Sequence, residues 1–180
     1  MSQNQSAPTK HFRVLVVDDS PRWRQWVVSA LKPLQHLQVV GEASDGLEAV
    51  HKAQVLRPDL ILLDIGLPTL NGIEAAKRIS QVTSGSKVIF LTVESNAEVA
   101  KVALSNGAPA YVLKSDAATE LLPAIYAVLR GEMFVSSRLI GTKRHKELLP
   151  PVGLAPPLQT ASRGSVLRFS PKRRSIWPQD

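Results

Sequence analysis

Short apolar runs alternate with longer amphipathic ones through the first two thirds of the chain. Five of the short runs are nearly continuous in aliphatic and β-branched residues: FRVLVV at 12 to 17, LQVVGEA at 37 to 43, LILL at 60 to 63, KVIFL at 87 to 91 and AYVL at 110 to 113. A run of this length, bounded by turn residues, predicts a strand buried on both faces, as in a parallel sheet. Between the runs, apolar residues recur at helical spacing. Ser20 and Pro21 supply a cap and a first-turn proline, and Trp23, Val27, Ala30, Leu31 and Leu34 follow as one stripe.

Four further helices read the same way. Asp45 caps the second, with Glu48 in the capping-box place and Leu47, Val50 and Ala53 on one face. The third runs from Gly72 to Val82 with Ile73, Ala76 and Ile79 inward, and the fourth starts at Ser95 or Asn96 and stops at Asn106 and Gly107 in a left-handed turn. Ser115 or Asp116 opens the fifth, striped by Leu121, Leu122, Ile125, Val128 and Leu129. Five strands in strict alternation with five helices predict an α/β fold, a parallel sheet covered by helices on both faces. Ligands of such sheets sit beyond the C-terminal strand ends, where the strand order reverses.

After Gly131 the alternation lapses. Residues 150 to 180 hold six prolines, four arginines and no sustained apolar period, so the chain divides into a polar lead-in (1 to 11), a folded domain (12 to 131) and a basic, Pro-rich tail (132 to 180) expected to be disordered. The formal charge of +7 sharpens that division. Residues 1 to 130 carry 13 Lys+Arg against 12 Asp+Glu, whereas residues 131 to 180 carry 9 against 3. A basic tail suits nucleic acid or an acidic surface, and equally a solvated segment. The chain has no cysteine, which excludes disulfides and thiol chemistry and fits a cytoplasmic setting. No apolar run approaches the roughly 18 residues of a membrane span.

The candidate chemistry falls on one rim. Asp18 and Asp19 end the first strand, Asp64 the third, Thr92 follows the fourth, and Lys114 ends the fifth. Singly, each has a plain structural role: Asp18, Asp19 and Thr92 as caps, Asp64 in an Asx-turn, Lys114 as a solvated strand end. Together they put an ammonium and a hydroxyl opposite three carboxylates that repel one another unless a cation is present. A hard divalent ion such as Mg²⁺ (or Mn²⁺) resolves the repulsion and can bridge to a phosphoryl group that a free carboxylate oxygen attacks. The four histidines, His11, His36, His51 and His145, show no ligand or catalytic spacing.

The runs VVDDSP, LLDIGLPTLNGIEAAKRI, LTVE and YVLK resemble the receiver domain of bacterial two-component response regulators, in order and register over about residues 12 to 130. LDIGLPTLNGIEA is similar to the NarL/LuxR-type branch, which usually carries a helix-turn-helix. The resemblance implies a flavodoxin-like (βα)5 doubly wound sheet in the order 2-1-3-4-5. It implies Asp64 as phosphoacceptor; Asp18, Asp19, Asp64 and the carbonyl of Gly66 about Mg²⁺; Thr92 and Lys114 on the phosphoryl group; and Tyr111 as the aromatic switch. A histidine kinase or histidine phosphotransfer protein would be the donor, and an output protein or a second copy would read the face of helix four, strand five and helix five. Such a domain promotes its own phosphorylation and dephosphorylation rather than acting as an enzyme on other substrates.

Some positions depart from that pattern. Val93 stands where a small residue is usual and is expected to narrow the site; Ser115 replaces a common proline; Gly66 and Glu94 occupy positions that tune phosphoryl lifetime. Trp26 lies off the main stripe of its helix, which suits the edge of the core or a docking contact. The prolines at 150, 151, 156 and 157 forbid a helix-turn-helix after residue 131. A single-domain regulator is therefore the leading expectation. Two others compete with it: a transcription regulator of LuxR-type lineage with a truncated or atypical effector region, or with a basic tail whose Lys143, Arg144, Lys146, Lys172, Arg173 and Arg174 contact DNA, and an Mg²⁺-dependent phosphatase, whose DxD pattern the adjacent aspartates of DDSP do not match.

Overall fold

A computed structural model describes residues 11–140 and 165–167 of the chain. The five strands form where the apolar runs lie: β1 (Phe12–Val17), β2 (Leu37–Ala43), β3 (Leu60–Leu63), β4 (Lys87–Thr92) and β5 (Ala110–Leu113). They pair in parallel in the expected order β2-β1-β3-β4-β5. Between them run α1 (Pro21–Leu31), α2 (Gly46–Leu56), α3 (Gly72–Val82) and α4 (Ala97–Ser105), and after a single 3-10 turn at Lys114–Asp116 comes α5 (Ala117–Leu129).

Because side chains alternate across a strand, the sheet builds two cores. Leu15, Val17, Ile61, Leu63 and Phe90 face α2, α3 and α4, packing on Ala49, Ala53, Ala75, Ile79 and Ala103. Val14, Val16, Leu60, Leu62 and Ile89 face α1 and α5, packing on Val27, Leu31, Leu121, Ile125 and Val128. β2 departs from the predicted two-sided burial: only Leu37 and Ala43 are buried, because β2 is the edge strand and has a neighbour on one side.

Two helices sit rotated from the faces the apolar spacing predicts. α2 buries Gly46, Ala49 and Ala53 and leaves Leu47 47% exposed. α3 buries Gly72, Ala75 and Ile79, with Ile73 and Ala76 at the margin. In both cases close approach decides the rotation, since small residues allow a helix to lie flat against backbone. A Cβ on Gly46 would stand 2.1 Å from the carbonyl oxygen of Leu70.

Caps fix where the helices begin. The Asp45 carboxylate accepts from the N–H of Leu47 and Glu48 at 2.7 and 3.0 Å, and Glu48 in return accepts from the Ser44 N–H at 2.7 Å. Asn71 and Asn96 cap α3 and α4 through the N–H groups of Glu74 and Glu98. Ser20 makes no side-chain cap; its N–H donates instead to Asp18 Oδ1 at 2.9 Å.

The sheet also continues past Gly131, the predicted end of the domain. Gly131, at φ +83°, turns the chain out of α5 into β6 (Met133–Val135), which pairs in parallel with β5, and α6 (Ser137–Ile140) follows. Phe134, Val135 and Leu139 are buried. A three-residue strand is too short to show a period, so nothing local in the sequence marks it. β7 (Ser165–Leu167) adds antiparallel to β6. The rest of the predicted tail, 141–164 and 168–180, and the lead-in before residue 11 lie outside the described residues.

Two measurements check this architecture. Phe134→Ala is expected to cost about 3–5 kcal/mol in urea unfolding, as for any large core aromatic, whereas a domain ending at residue 131 would be indifferent to it. Glu48, which Lys52 and then the Ser44 N–H hold down to about 2, keeps its charge well below the ordinary glutamate range. Its depressed value means that its contribution to stability is present above that range and is lost as pH falls toward 2. A carboxyl-detected NMR titration should place Glu48 well below the ordinary glutamate range, and Lys52→Met should raise it.

Candidate functional site

The sheet ladder carries two carboxylates to adjacent strand ends. The Asp18 N–H donates to the Ala43 carbonyl at 3.1 Å and the Asp64 N–H to the Val17 carbonyl at 2.9 Å, extending β1 and β3 by one residue each. Asp18 and Asp64 are both buried at 4% exposure, and Asp19 beside them faces solvent. One carboxylate oxygen from each of the three lies within 4.8 Å of the others, the one such acidic cluster among the described residues.

β5 delivers the counter-charge. Lys114 is also buried, and its Nζ lies 2.6 Å from Asp18 Oδ2 and 2.6 Å from Asp64 Oδ2. Burial is the largest influence on both Asp18 and Lys114. It pushes the Asp18 carboxyl upward despite the hydrogen bonds from Lys114 and the Ser20 N–H. For Lys114 burial acts downward, but the hydrogen bonds and charges of Asp18 and Asp64 outweigh it and hold the ammonium above its ordinary value. Trp23 closes this corner from α1, its ring centroid 5.3 Å from Nζ and edge-on to Trp26. Trp26 packs at the edge of the core, as its helical position predicts.

The loop after β3 folds back tightly on the strand end. The Gly72 N–H donates to the Ile65 carbonyl at 2.9 Å, Leu67 and Leu70 are buried beneath the loop, and Thr69 takes a left-handed φ of 63°. A Cβ on Gly72 would stand 2.0 Å from the Asp64 carbonyl oxygen, so glycine is required where α3 meets the site. At Gly66 nothing lies within 4 Å of a would-be Cβ, and its N–H donates to Asp64 Oδ1 at 3.3 Å.

Thr92 ends β4 in register with Leu113 and is buried, its Oγ1 accepting from the Glu94 N–H at 3.2 Å. Tyr111 lies fully inside, against Phe90, and donates its hydroxyl to the Glu94 carbonyl at 2.8 Å. Burial, then Glu94, raises the phenol's pKa. Val93 is 73% exposed and stands out from the surface rather than filling the site. His36 stacks on Tyr126 and His11 meets the Gln35 carbonyl, both away from the acidic cluster, and His145 lies outside the described residues.

One contributor gives no signal in the sequence. Arg24 donates to the carbonyl oxygens of Asp18 and Asp19, at 2.7 and 3.4 Å, and to Glu42 Oε2 on β2 at 3.1 Å. It clamps the backbone that presents both aspartates. Its acceptors are main-chain atoms and a glutamate 18 residues away, which side-chain spacing does not reveal.

The family model described as response regulator receiver domain matches residues 14–126. The nitrate/nitrite response regulator protein NarL of Escherichia coli K12 is 34% identical over 126 residues, covering 70% of this chain and 58% of that protein. The transcriptional regulatory protein LiaR of Bacillus subtilis is 37% identical over 130 residues, covering 72% and 62%. This chain therefore spans about three fifths of the length of those relatives. Among solved structures, a LuxR-family two-component response regulator from Aurantimonas superposes with a TM-score of 0.68 at 30% identity, covering 77% of this chain and 96% of that one.

The paired charges set a stability expectation. Lys114→Met leaves two buried carboxylates without their ammonium, and at neutral pH should destabilise the chain by about 3–5 kcal/mol in the absence of divalent ions. Protonating the Asp18 carboxyl, which burial already pushes upward, relieves the repulsion, so the penalty should shrink as pH falls, and added Mg²⁺ should restore part of the lost stability. Urea unfolding at two pH values, with and without Mg²⁺, checks both signs.

Proposed function

The chain belongs to the response regulator receiver domain family, and from that premise we propose that it is a phosphorylation switch whose acceptor is Asp64. The observation that carries the reading is the buried Asp64 carboxylate at a strand end, with Lys114 on one oxygen and the Gly66 N–H on the other. Family membership implies a kinase as partner. The donor is a phosphohistidine of a histidine kinase or phosphotransfer protein. An Asp64 oxygen attacks phosphorus, the P–N bond breaks as the P–O bond forms, and the imidazole leaves with its electron pair and takes up a proton.

The residues present fit a hard divalent ion. Asp18, Asp19 and Asp64 offer three oxygen donors within 4.8 Å, and Lys114 is the ammonium that pairs with two of them. These carboxylates, with the carbonyl of Gly66, would hold Mg²⁺ or Mn²⁺. When bound, the ion offsets charge on the phosphoryl oxygens and on the attacking carboxylate.

Lys114 then moves its ammonium from the carboxylates to a phosphoryl oxygen, and the Thr92 hydroxyl donates to another. Thr92 and Tyr111 are joined through Glu94, whose N–H meets Thr92 Oγ1 and whose carbonyl takes the Tyr111 hydroxyl. A shift of Thr92 therefore reaches Tyr111 and the face of α4, β5 and α5, where Val93 and Val102 are already exposed for an output protein or a second copy. The domain promotes its own phosphorylation and dephosphorylation and turns over no other substrate. The reading places it in the cytoplasm with its kinase; no helix among the described residues is long and apolar enough to cross a membrane.

Labelling with acetyl phosphate tests the assignment. Wild-type chain should take up an acid-stable, hydroxylamine-labile phosphoryl group only with Mg²⁺ or Mn²⁺ present, and EDTA or Asp64→Asn should abolish it. Labelling of Asp64→Asn at the wild-type rate would sink the assignment.

A further inference from the structure

The β5–β6 ladder stops short of the site. Its two registered pairs are Ala110 with Phe134 and Tyr111 with Val135, so Leu113, which immediately precedes Lys114, lies beyond its end. One side chain takes over there. Ser136 is fully buried; its N–H donates to the Tyr111 carbonyl at 2.9 Å, and its Oγ accepts the Leu113 N–H at 2.9 Å. Its hydroxyl in turn donates to Glu120 Oε2 of α5 at 2.5 Å. The other oxygen of Glu120 accepts from the N–H and the hydroxyl of Ser137, the first residue of α6, at 3.2 and 2.7 Å. A second link runs beside it: Arg138 of α6 pairs with Asp116, two residues after Lys114, at 2.9 Å.

We infer that Ser136, braced by Glu120, is a positioning residue for Lys114 and the joint through which movement of Lys114 reaches α6 and the chain beyond it. The inference rests on the phosphoacceptor reading of Asp64. Two features carry it. The Leu113 N–H is buried and Ser136 Oγ is its acceptor, so abandoning that bond is costly and Ser136 follows when the end of β5 shifts. The same serine holds Tyr111 by its backbone and the start of α6 through Glu120. The residues assigned to sense the phosphoryl group and those that lead out of the domain thus share one buried hydroxyl.

NMR on the full ¹⁵N-labelled chain, with Mg²⁺ and beryllofluoride as the phosphoryl mimic, tests this. Without activation, Ser136→Ala should move the Leu113 amide upfield and speed its exchange. On activation, the wild-type amides of 137 to 140 should shift together with those of α4; in Ser136→Ala the α4 shifts should persist and the α6 shifts vanish. Labelling by acetyl phosphate should slow about tenfold in that variant, as expected for a displaced Lys114. Glu120→Gln, which keeps the Leu113 contact and loosens the brace, should weaken the α6 response alone.

Wild-type α6 shifts and labelling rate in Ser136→Ala overturn the inference and leave the acceptor assignment standing. If Ser136→Ala fails to fold, a full α6 response in Glu120→Gln does the same. A wild-type chain that responds to neither probe overturns both readings together.

Discussion

The site depends on one ammonium shared between two carboxylates. Lys114 lies 2.6 Å from an oxygen of Asp18 and from an oxygen of Asp64, with all three side chains buried. Two carboxylates brought this close inside a protein would otherwise protonate or separate. The strand order makes the arrangement possible. β1 and β3 are neighbours and end together, so Asp18 and Asp64 meet, and β5 reaches across from two strands away with a side chain long enough to span the gap. The surrounding structure then keeps each end from drifting: Arg24 grips the β1 terminus, Gly72 lets α3 press on the β3 terminus, and Ser136 completes the β5 terminus.

This arrangement is stable without being final. The ammonium neutralises one of the three acidic groups' charges, and Asp19 remains in solvent, so the rim keeps an excess of negative charge, which the proposed metal-dependent phosphorylation requires. The features that connect outward are hydrogen bonds to backbone: Glu94 between Thr92 and Tyr111, and Ser136 between Leu113, Tyr111 and α6. In the proposed switch, these contacts would carry small displacements because a buried donor cannot exchange its partner for water.

Much of this was legible in the residues. Continuous apolar runs placed five strands, because burial on both faces leaves little choice of composition, while their order came from the resemblance to receiver domains. The rim residues Asp18, Asp19, Asp64, Thr92 and Lys114 were legible because each ends or follows a strand and the topology aligns those ends. The capping signals held at Asp45 and Asn96 and failed at Ser20, whose side chain makes no cap hydrogen bond. The faces of α2 and α3 were misread, since hydrophobic spacing counts large residues, while contact with the Leu70 and Asp64 carbonyls admits only small ones.

The sequence by itself determined the alternating strands and helices, their layering and the set of ionisable groups at the strand ends, because those follow from periodicity and chain direction, which are local; the strand order was legible only through the resemblance to receiver domains. Tertiary structure alone decided that Lys114 bridges Asp18 and Asp64, that Arg24 and Ser136 hold the strand ends, and that the domain runs on through β6 to α6. Each of these depends on atoms far apart in the chain, and most of the partners are main-chain groups that every residue carries. Hydrogen bonds to backbone leave no compositional trace, so only the folded chain shows which residue makes them.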